Sequence, residues 1–375
     1  MTDCLILGGG VIGLSVAYDL ARHGARCRVL ERGEPGQEAS WAGAGIIPAS
    51  ARVARDHPFD QLAGLSSALH PQWAARLLEE TGIDNGYRHC GGIYLARNPE
   101  VWHALELAAD DWYGRQQPVE KLDSARLHEL EPTLGVSFEA AGWPQRVLAG
   151  YYLPDEAQIR NPRHLKALQA ACRQRAVEIM PQSEVQSFVE QHGRVVGVQT
   201  TKTTYFAESI LVASGAWTAG LLTQLGVAIR IKPIRGQMVL YRGERPILSH
   251  VINDGPRYLV PRDDGRVLVG STEENVGFVK ATTEAGVAGL QKLAGAIAPQ
   301  VAALPVERTW AGFRPGTADG IPYLGCVPGQ PALFVAAGHF RSGLHLSPAT
   351  GAVMSQLVRG EKPDIDLAPF SLERG

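Results

Sequence analysis

Cysteine is scarce in this sequence, and the cysteines present show no paired spacing. There are five, an odd number without a C-x-x-C pair: Cys4, Cys27, Cys90, Cys172 and Cys326. A disulfide framework uses an even number of cysteines, and zinc sites commonly use closely spaced ones. The pattern therefore favours free thiols in a reducing compartment and argues against a metal site.

Clusters of like charge and membrane-length apolar runs are also missing. The 36 basic residues, of which only 7 are lysine, nearly balance 38 acidic ones, and no basic run is present. Nucleic-acid binding is not expected, since it needs clustered Lys and Arg. Asp19 closes the N-terminal apolar stretch, and residues 285–304 contain Lys292 and Pro299. We expect a soluble cytoplasmic protein with no integral membrane segment, and the sequence leaves open whether it forms a homo-oligomer.

Glycine, by contrast, is plentiful. The 375 residues include 42 glycines and 24 prolines, without a triplet period, where average usage is about 7% and about 5%. Such an excess indicates many tight turns, or a backbone that approaches a ligand closely. The length allows two or three compact units.

A nucleotide-binding fingerprint lies at the N-terminus. A short apolar run at residues 5–7 precedes G-x-G-x-x-G at Gly8, Gly10 and Gly13, and helical periodicity follows. A second predicted strand, residues 26–30, ends in Glu31. The helix N-terminus offers free N–H groups to a pyrophosphate, and an acid at the second strand end accepts hydrogen bonds from a ribose 2′-hydroxyl. The pattern predicts a Rossmann-like unit for FAD or NAD rather than NADP.

The rest of the chain favours FAD over NAD. Strand–helix alternation stops after Glu31, and residues 38–48 are a run of small residues with Ser40 as a candidate N-cap. Strand patterns return at residues 195–200, 204–206, 209–213 and 333–337, with a helix predicted over 163–175. A last helix is predicted over 348–357, with Ser347 as N-cap and Pro348 at the first helical position. These segments predict a split nucleotide domain.

Six segments resemble the FAD-dependent D-amino-acid oxidase superfamily, and most closely the glycine oxidases of thiamine biosynthesis. They are residues 8–13 with Glu31, 40–46, 212–217, 258–262, 310–317 and 336–343. The resemblance implies an α/β fold with two domains. A discontinuous Rossmann-like FAD-binding domain would span residues 1-80, 150-222 and 308-375. A substrate-binding domain built on an antiparallel sheet would span 81-149 and 223-307.

The resemblance also implies a noncovalent FAD site. Cys326 lies well past the Arg314 loop, where a cysteine tethers FAD in sarcosine-oxidase relatives. The implied cofactor-binding residues are Gly8, Gly10, Val11, Ile12, Gly13, Glu31, Arg32, Ser40, Trp41, Ala42, Gly43, Ala44, Gly45, Ile46, Val185, Ser214, Gly215, Trp217, Arg314, Gly338, His339, Phe340, Arg341, Ser342, Gly343 and Leu344.

The substrate side is predicted from a hairpin and two arginine loops. Residues 257–262 and 266–271 flank Asp-Asp-Gly, which predicts a hairpin in an antiparallel sheet, with 237–241 as a neighbouring strand. On residue type alone, Tyr258 and Arg314 would more often be surface groups. The resemblance implies instead that both hold a substrate carboxylate, which suits a planar guanidinium. It also implies that Arg341 is a second functional arginine, at the pocket edge or near the carboxylate. A loop-stabilising role for Arg341 stays open.

His339 and Glu273 have less certain roles. Hydride transfer from Cα needs a neutral amine and correct orientation but no protein base, so packing of His339 against flavin is favoured over base catalysis. Glu273, followed by Glu274, stands where some glycine oxidases have methionine. Its carboxylate could meet a cationic amine, widen tolerance for substituted amines, or face solvent. The last is slightly favoured, because paired acids at a strand end are usually exposed.

The function implied is oxidation of glycine, sarcosine or small D-amino acids by FAD, with molecular oxygen as acceptor. The imine formed would hydrolyse to a 2-oxo acid and ammonia, and the pathway role would be supply of thiamine thiazole synthesis. Three alternatives stay open: a dehydrogenase that passes electrons to a quinone, an enzyme of secondary amines, and a non-catalytic flavin-binding protein.

Overall fold

The computed structural model describes residues 2–49, 57–97, 99–135 and 148–374. Residues 1, 50–56, 98, 136–147 and 375, which fall in the predicted domain segments, lie outside the described residues. The strands, in chain order, are β1 (Thr2–Leu7), β2 (Cys27–Leu30), β3 (Ile46–Ile47), β4 (Arg88–His89), β5 (Gly92–Leu95), β6 (Glu120–Asp123), β7 (Leu148–Leu153), β8 (Ala157–Gln158), β9 (Glu178–Met180), β10 (Val185–Gln191), β11 (Arg194–Thr200), β12 (Thr204–Val212), β13 (Lys232–Arg242), β14 (Val251–Asp254), β15 (Arg257–Pro261), β16 (Arg266–Gly270), β17 (Val306–Gly316), β18 (Tyr323–Val327) and β19 (Gln330–Ala337). The helices are α1 (Val11–Arg22), α2 (Ala39–Ala42), α3 (Pro58–Thr81), α4 (Pro99–Gly114), α5 (Ser124–Leu130), α6 (Asn161–Gln174), α7 (Thr218–Thr223), α8 (Glu284–Ile297), α9 (Pro299–Ala302) and α10 (Gly343–Val358).

The first sheet has a parallel centre. Its strands β9, β2, β1, β12 and β19 lie side by side in that order, and β10, β11 and β18 pair antiparallel at its margins. The central strand β1 is apolar and its last four residues are buried, as expected for a strand covered on both faces. One face packs on α1, α3, α6 and α10, and the other on α7 and β11. This arrangement confirms the Rossmann-like prediction.

The second sheet is almost wholly antiparallel. Its order is β17, β13, β16, β15, β14, β5, β7 and β6, and only β14 and β5 run parallel. Successive side chains alternate between its faces, so Val239 and Leu259 pack under α8 while Met238 and Tyr258 lie on the opposite face. The predicted hairpin over 257–271 is confirmed as β15 and β16. A small third sheet joins β3, β8 and β4.

Two predicted domain boundaries cut strands of the second sheet. Residue 150 lies within β7, which pairs with β5 and β6, and residue 308 lies within β17, which pairs with β13 as far as Gly316. Backbone pairing therefore carries these strands into the second sheet, although the sequence prediction gave most of both to the cofactor domain. The division of the chain into cofactor and substrate domains stays a prediction.

The start of the last helix was predicted wrongly. Helix α10 begins at Gly343, not at Pro348, which lies inside it. Proline has no N–H to donate to the carbonyl four residues earlier, that of Leu344, which is why proline usually marks a helix start. Here the Ser347 hydroxyl donates to the Leu344 carbonyl at 2.9 Å and replaces the missing bond.

Within the described ranges, no helix combines the length and the hydropathy that a crossing of the bilayer requires.

We predict that Ser347→Ala destabilises the protein by about 1–3 kcal/mol, because it leaves the Leu344 carbonyl without a partner inside the fold. The matched control is Ser355→Ala in the same helix. The Ser355 hydroxyl is buried and has no hydrogen-bond partner among the described residues, so its removal should be neutral or stabilising. Urea unfolding of both variants measures the difference, and equal losses would contradict the role of Ser347.

Candidate cofactor and substrate site

A large cavity lies between the two main sheets. Its volume is about 580 Å³. One wall is made by the carboxyl ends of β1, β2, β12 and β19, and the opposite wall by the inner face of the second sheet. Ligands of open parallel sheets bind at this end of the strands. The fold therefore places a candidate binding site where the strand ends and the antiparallel sheet meet.

Nearly all predicted cofactor residues line this cavity. The exceptions are Gly13 and Trp41, which do not reach it. A Cβ at Gly13 would collide with the Gly8 carbonyl oxygen, so Gly13 allows close packing of α1 on the strand end rather than contact with a ligand. The Trp41 ring packs edge-to-face on Trp310, with 5.1 Å between ring centroids. Both residues shape the site from behind its wall.

The first turn of the fingerprint is held by two side chains. The Glu31 carboxylate accepts hydrogen bonds from the N–H groups of Gly9 at 2.8 Å and Gly33 at 2.9 Å. Ser40 was predicted to be an N-cap, and this prediction is wrong, because α2 begins at Ala39 and the Ser40 Oγ accepts a hydrogen bond from the Val11 N–H at 2.9 Å. The serine thus ties α2 to the start of α1.

Asn161 was missed as a site residue. It opens α6, lines the cavity, and donates from Nδ2 to the Ser40 carbonyl at 2.9 Å. Its Oδ1 is buried and accepts no hydrogen bond within the described part of the chain. A buried acceptor without a partner costs about 1–3 kcal/mol, and this atom is covered by the protein itself, beside Gly45. In the sequence, the Asn-Pro pair predicts only the start of a helix and gives no sign of a cavity.

Arg314 is held in place at the second wall. Its guanidinium donates to the Thr272 carbonyl at 3.2 Å and to the Ser271 hydroxyl, and it lies so close to Gly236 that a Cβ there would collide with it. Burial lowers the pKa of Arg314, and the nearby Tyr258 phenol opposes this effect. An arginine stays protonated at neutral pH despite such a shift. A half-buried, fixed cation that lines a cavity is suited to bind a carboxylate.

Arg341 and the paired acids have partners that the sequence did not reveal. Arg341 lines the cavity and donates to the Pro256 carbonyl at 3.1 Å, and its Nη2 lies 3.2 Å from the Glu273 carboxylate. Glu273 is half exposed, so it partly faces solvent, as favoured, but it is paired. Glu274, the second acid of the pair, is placed differently. That residue forms an ion pair with the buried Arg235 and accepts from Gln237.

A row of side chains crosses the second wall. Paired positions on neighbouring strands place Tyr94, Asn253, Tyr258 and Met238 on one line, with Gly270 between the last two. Residues paired across strands point to the same face, and all four side chains line the cavity. Of these, only Tyr258 was predicted. The partner strands are far apart in sequence, and no local pattern reveals their register.

Comparison with known proteins identifies the family. The family described as FAD dependent oxidoreductase matches residues 3–357. The chain belongs to this family.

The FAD-dependent oxidoreductase has full-length relatives. It is 36% identical over 368 residues to "Glycine oxidase" of Pseudomonas aeruginosa, covering 98% of this chain and 97% of the relative. It is 33% identical over 376 residues to "Bifunctional protein ThiO/ThiG" of Trichormus variabilis, covering 99% of this chain and 55% of that protein. The crystal structure of glycine oxidase from Geobacillus kaustophilus superposes with a TM-score of 0.92 at 35% identity, covering 100% of this chain and 98% of that one. The D-amino-acid oxidase-like fold is thereby confirmed.

FAD fits the residues of this oxidoreductase. The cavity is long enough to be lined by both Glu31 at the end of β2 and Arg314 in the second sheet. It is also lined by Gly10, Val11 and Ile12 at the start of α1, and the N-terminal end of a helix suits an anionic pyrophosphate. Gly8, Gly10 and Gly45 would hold the cofactor with backbone alone. Cys326 is exposed and does not line the cavity, and its Sγ donates to the Gln330 carbonyl at 3.3 Å. We propose a noncovalent cofactor on this ground.

His339 is poorly suited to be a base in this oxidoreductase. It lines the cavity, but burial lowers its pKa to about 3, and its Nε2 lies 3.1 Å from the Thr350 hydroxyl. A base of such low pKa takes up a proton weakly near neutral pH. This geometry supports packing against the cofactor, and that role stays a prediction.

We predict that acid destabilises the protein through four buried histidines. Burial lowers the pKa of His339, His345 and His164 to about 3 and that of His70 to about 4. The unfolded chain binds protons on these histidines below about pH 6.5, whereas the folded chain does not. Their contribution to the free energy of unfolding is therefore fully present above that pH and decreases as the pH falls. Each contributes a slope of about 1.4 kcal/mol per pH unit. His339→Asn should reduce the slope between about pH 4 and pH 5.5 by about one proton, measured by urea unfolding, and an unchanged slope would contradict it.

Proposed function

We propose that this protein oxidises glycine and other small amino acids, including sarcosine and small D-amino acids, and that molecular oxygen is the electron acceptor. The observation that carries the proposal is the position of Arg314, a fixed cation that lines the same cavity as the fingerprint residues. A substrate held there by its carboxylate would lie beside a cofactor that extends from Glu31. The name "Glycine oxidase", carried by relatives matched over nearly their whole length, agrees with glycine as a substrate.

The chain's residues would bind and orient the substrate. Arg314 would hold the carboxylate by two parallel hydrogen bonds, and Tyr258 would add a third from its hydroxyl. Contacts with the cavity walls would keep Cα in one orientation, which is the main contribution a protein makes to such a transfer. Bound FAD would supply the acceptor for the two electrons and the Cα hydrogen. The imine would then add water to give a 2-oxo acid and ammonia.

The supply of an imine for thiamine thiazole synthesis is the pathway role we propose. One relative, "Bifunctional protein ThiO/ThiG" of Trichormus variabilis, is similar to this chain over 55% of its length, and its name suggests that a second activity accompanies the similar part. A cytoplasmic location belongs to the same proposal. All five cysteines are free thiols, which suits a reducing compartment.

Peroxide yield tests the electron acceptor. Incubation of the holoenzyme with glycine in air should give one hydrogen peroxide for each glycine consumed, measured with catalase-free coupled detection and a glyoxylate assay. A negligible peroxide yield with rapid reduction of an added quinone would identify a dehydrogenase instead. Higher kcat/KM for proline-like or N-methyl compounds than for glycine would identify a secondary-amine enzyme. Failure of anaerobic glycine and other amines to bleach the bound flavin would identify a non-catalytic flavoprotein.

We predict that Arg314→Ala raises the KM for glycine by about 30-fold to 1,000-fold, because it removes two charge-assisted hydrogen bonds. FAD content should change little. Arg257→Ala is the matched control, since Arg257 is an exposed residue next to Tyr258 on β15 and does not line the cavity. Steady-state kinetics and flavin absorbance measure both effects. Equal KM values for Arg314→Ala and the wild type would refute the assignment.

A further inference from the structure

A buried carboxyl group lies beside the row of side chains on the second wall. Glu156, in the turn between β7 and β8, is fully buried. Its Oε2 accepts a hydrogen bond from the Tyr94 hydroxyl at 2.6 Å, and its Oε1 accepts one from Asn253 Nδ2 at 3.1 Å. Tyr94 and Asn253 line the cavity, whereas Glu156 does not. The carboxylate therefore contacts two wall residues without reaching the cavity itself.

The fold makes room for this carboxyl group. A Cβ at Gly92 on β5 would collide with the Glu156 carboxyl, so the strand that carries Tyr94 has no side chain where Glu156 lies. Burial raises the pKa of Glu156 to about 7, and the hydrogen bonds from Tyr94 and Asn253 oppose the rise. A buried acid is costly unless its oxygens are paired. None of the cofactor or carboxylate contacts described above uses it.

The two hydrogen bonds fix which atoms the wall presents. Burial, together with the nearby Glu156 carboxylate, holds the pKa of Tyr94 well above its ordinary value, so its hydroxyl keeps a proton and donates it to Glu156. The lone pairs of that oxygen are then left for another donor. Asn253 likewise commits Nδ2 to Glu156, which leaves Oδ1 as its free acceptor. The wall thus offers two acceptors, and the one donor these side chains leave free is the second N–H of Asn253.

This acceptor pair adjoins the predicted carboxylate position. Asn253 is paired with Tyr258 on the neighbouring strand, one strand spacing of about 4.8 Å away. Two acceptors with a carboxyl group beside them would repel a substrate carboxylate and attract the N–H groups of an amine. Arg314 and the acceptor pair therefore distinguish the two ends of an amino acid.

We propose that Tyr94 and Asn253 form the subsite for the substrate amine, and that Glu156 is a positioning residue that fixes both side chains for this contact. The inference rests on the proposed function and adds to it the residues that recognise the second end of the substrate. Tyr94→Phe keeps the ring and removes the acceptor oxygen. Glu156→Gln keeps the shape of the side chain, but its amide has one acceptor oxygen, whereas the Tyr94 hydroxyl and Asn253 Nδ2 are two donors that need an acceptor each.

Glycine and acetate together test the proposal, because acetate has the carboxylate without the amine. In the holoenzyme, Tyr94→Phe and Glu156→Gln should each raise the KM for glycine by about 5- to 50-fold. The inhibition constant of acetate, measured as a competitor of glycine, should stay within about twofold of the wild-type value. Tyr151→Phe is the matched control, since Tyr151 is paired with Tyr94 on β7 but does not line the cavity. It should leave both constants unchanged.

The outcomes separate this inference from the function on which it rests. Unchanged glycine KM in Tyr94→Phe, with a wild type that oxidises glycine, overturns the amine subsite alone. An equal rise in the glycine and acetate constants also overturns it, because it shows a general distortion of the cavity. A wild-type protein whose flavin is not reduced by glycine or by other small amines overturns the proposed function and this inference together. If Glu156→Gln fails to retain FAD, the glycine KM and the acetate inhibition constant of Tyr94→Phe decide whether the amine subsite stands.

Discussion

The register of the second sheet is the constraint on which the candidate site depends. Hydrogen bonds between paired strands set which residues stand side by side, and the alternation of side chains sets which face they share. The cavity is reached by side chains from four strands, because the strand pairings put them side by side on one face of the sheet. These are Met238, Tyr258, Asn253 and Tyr94. A shift of one residue in β15 would turn Tyr258 toward α8 and remove it from the cavity.

Burial gives the charged groups of the cavity their chemical character. The histidines around it are uncharged, because burial lowers their pKa values, while Arg314 keeps a cation fixed by Thr272 and Ser271. Glu156, whose pKa burial raises, does not line the cavity and acts on it only through Tyr94 and Asn253. A fixed, half-buried cation such as Arg314 acts more strongly on a ligand than it would at the surface.

The features predicted well from the sequence are local ones. The fingerprint could be read because strand, glycine turn and helix follow within residues 5–20, and the hairpin because Asp-Asp-Gly separates two short alternating runs. Glu156, by contrast, contacts Tyr94 and Asn253, which lie 62 and 97 positions away in the chain. The start of α10 was misjudged because a proline within a helix needs a substitute donor, and the Ser347 hydroxyl that supplies it looks like an ordinary N-cap in the sequence.

The cofactor site is linked to the folding of the whole chain. Its walls come from segments far apart in the sequence, the strand ends at Gly8 and Gly338 and the second sheet at Tyr258 and Arg314. These segments meet only in the folded state, so a ligand of the cavity binds the folded chain alone. Binding of this kind shifts the folding equilibrium by mass action. The abundance of the folded protein in a cell would therefore follow the supply of free flavin, and not only the rate at which the chain is made.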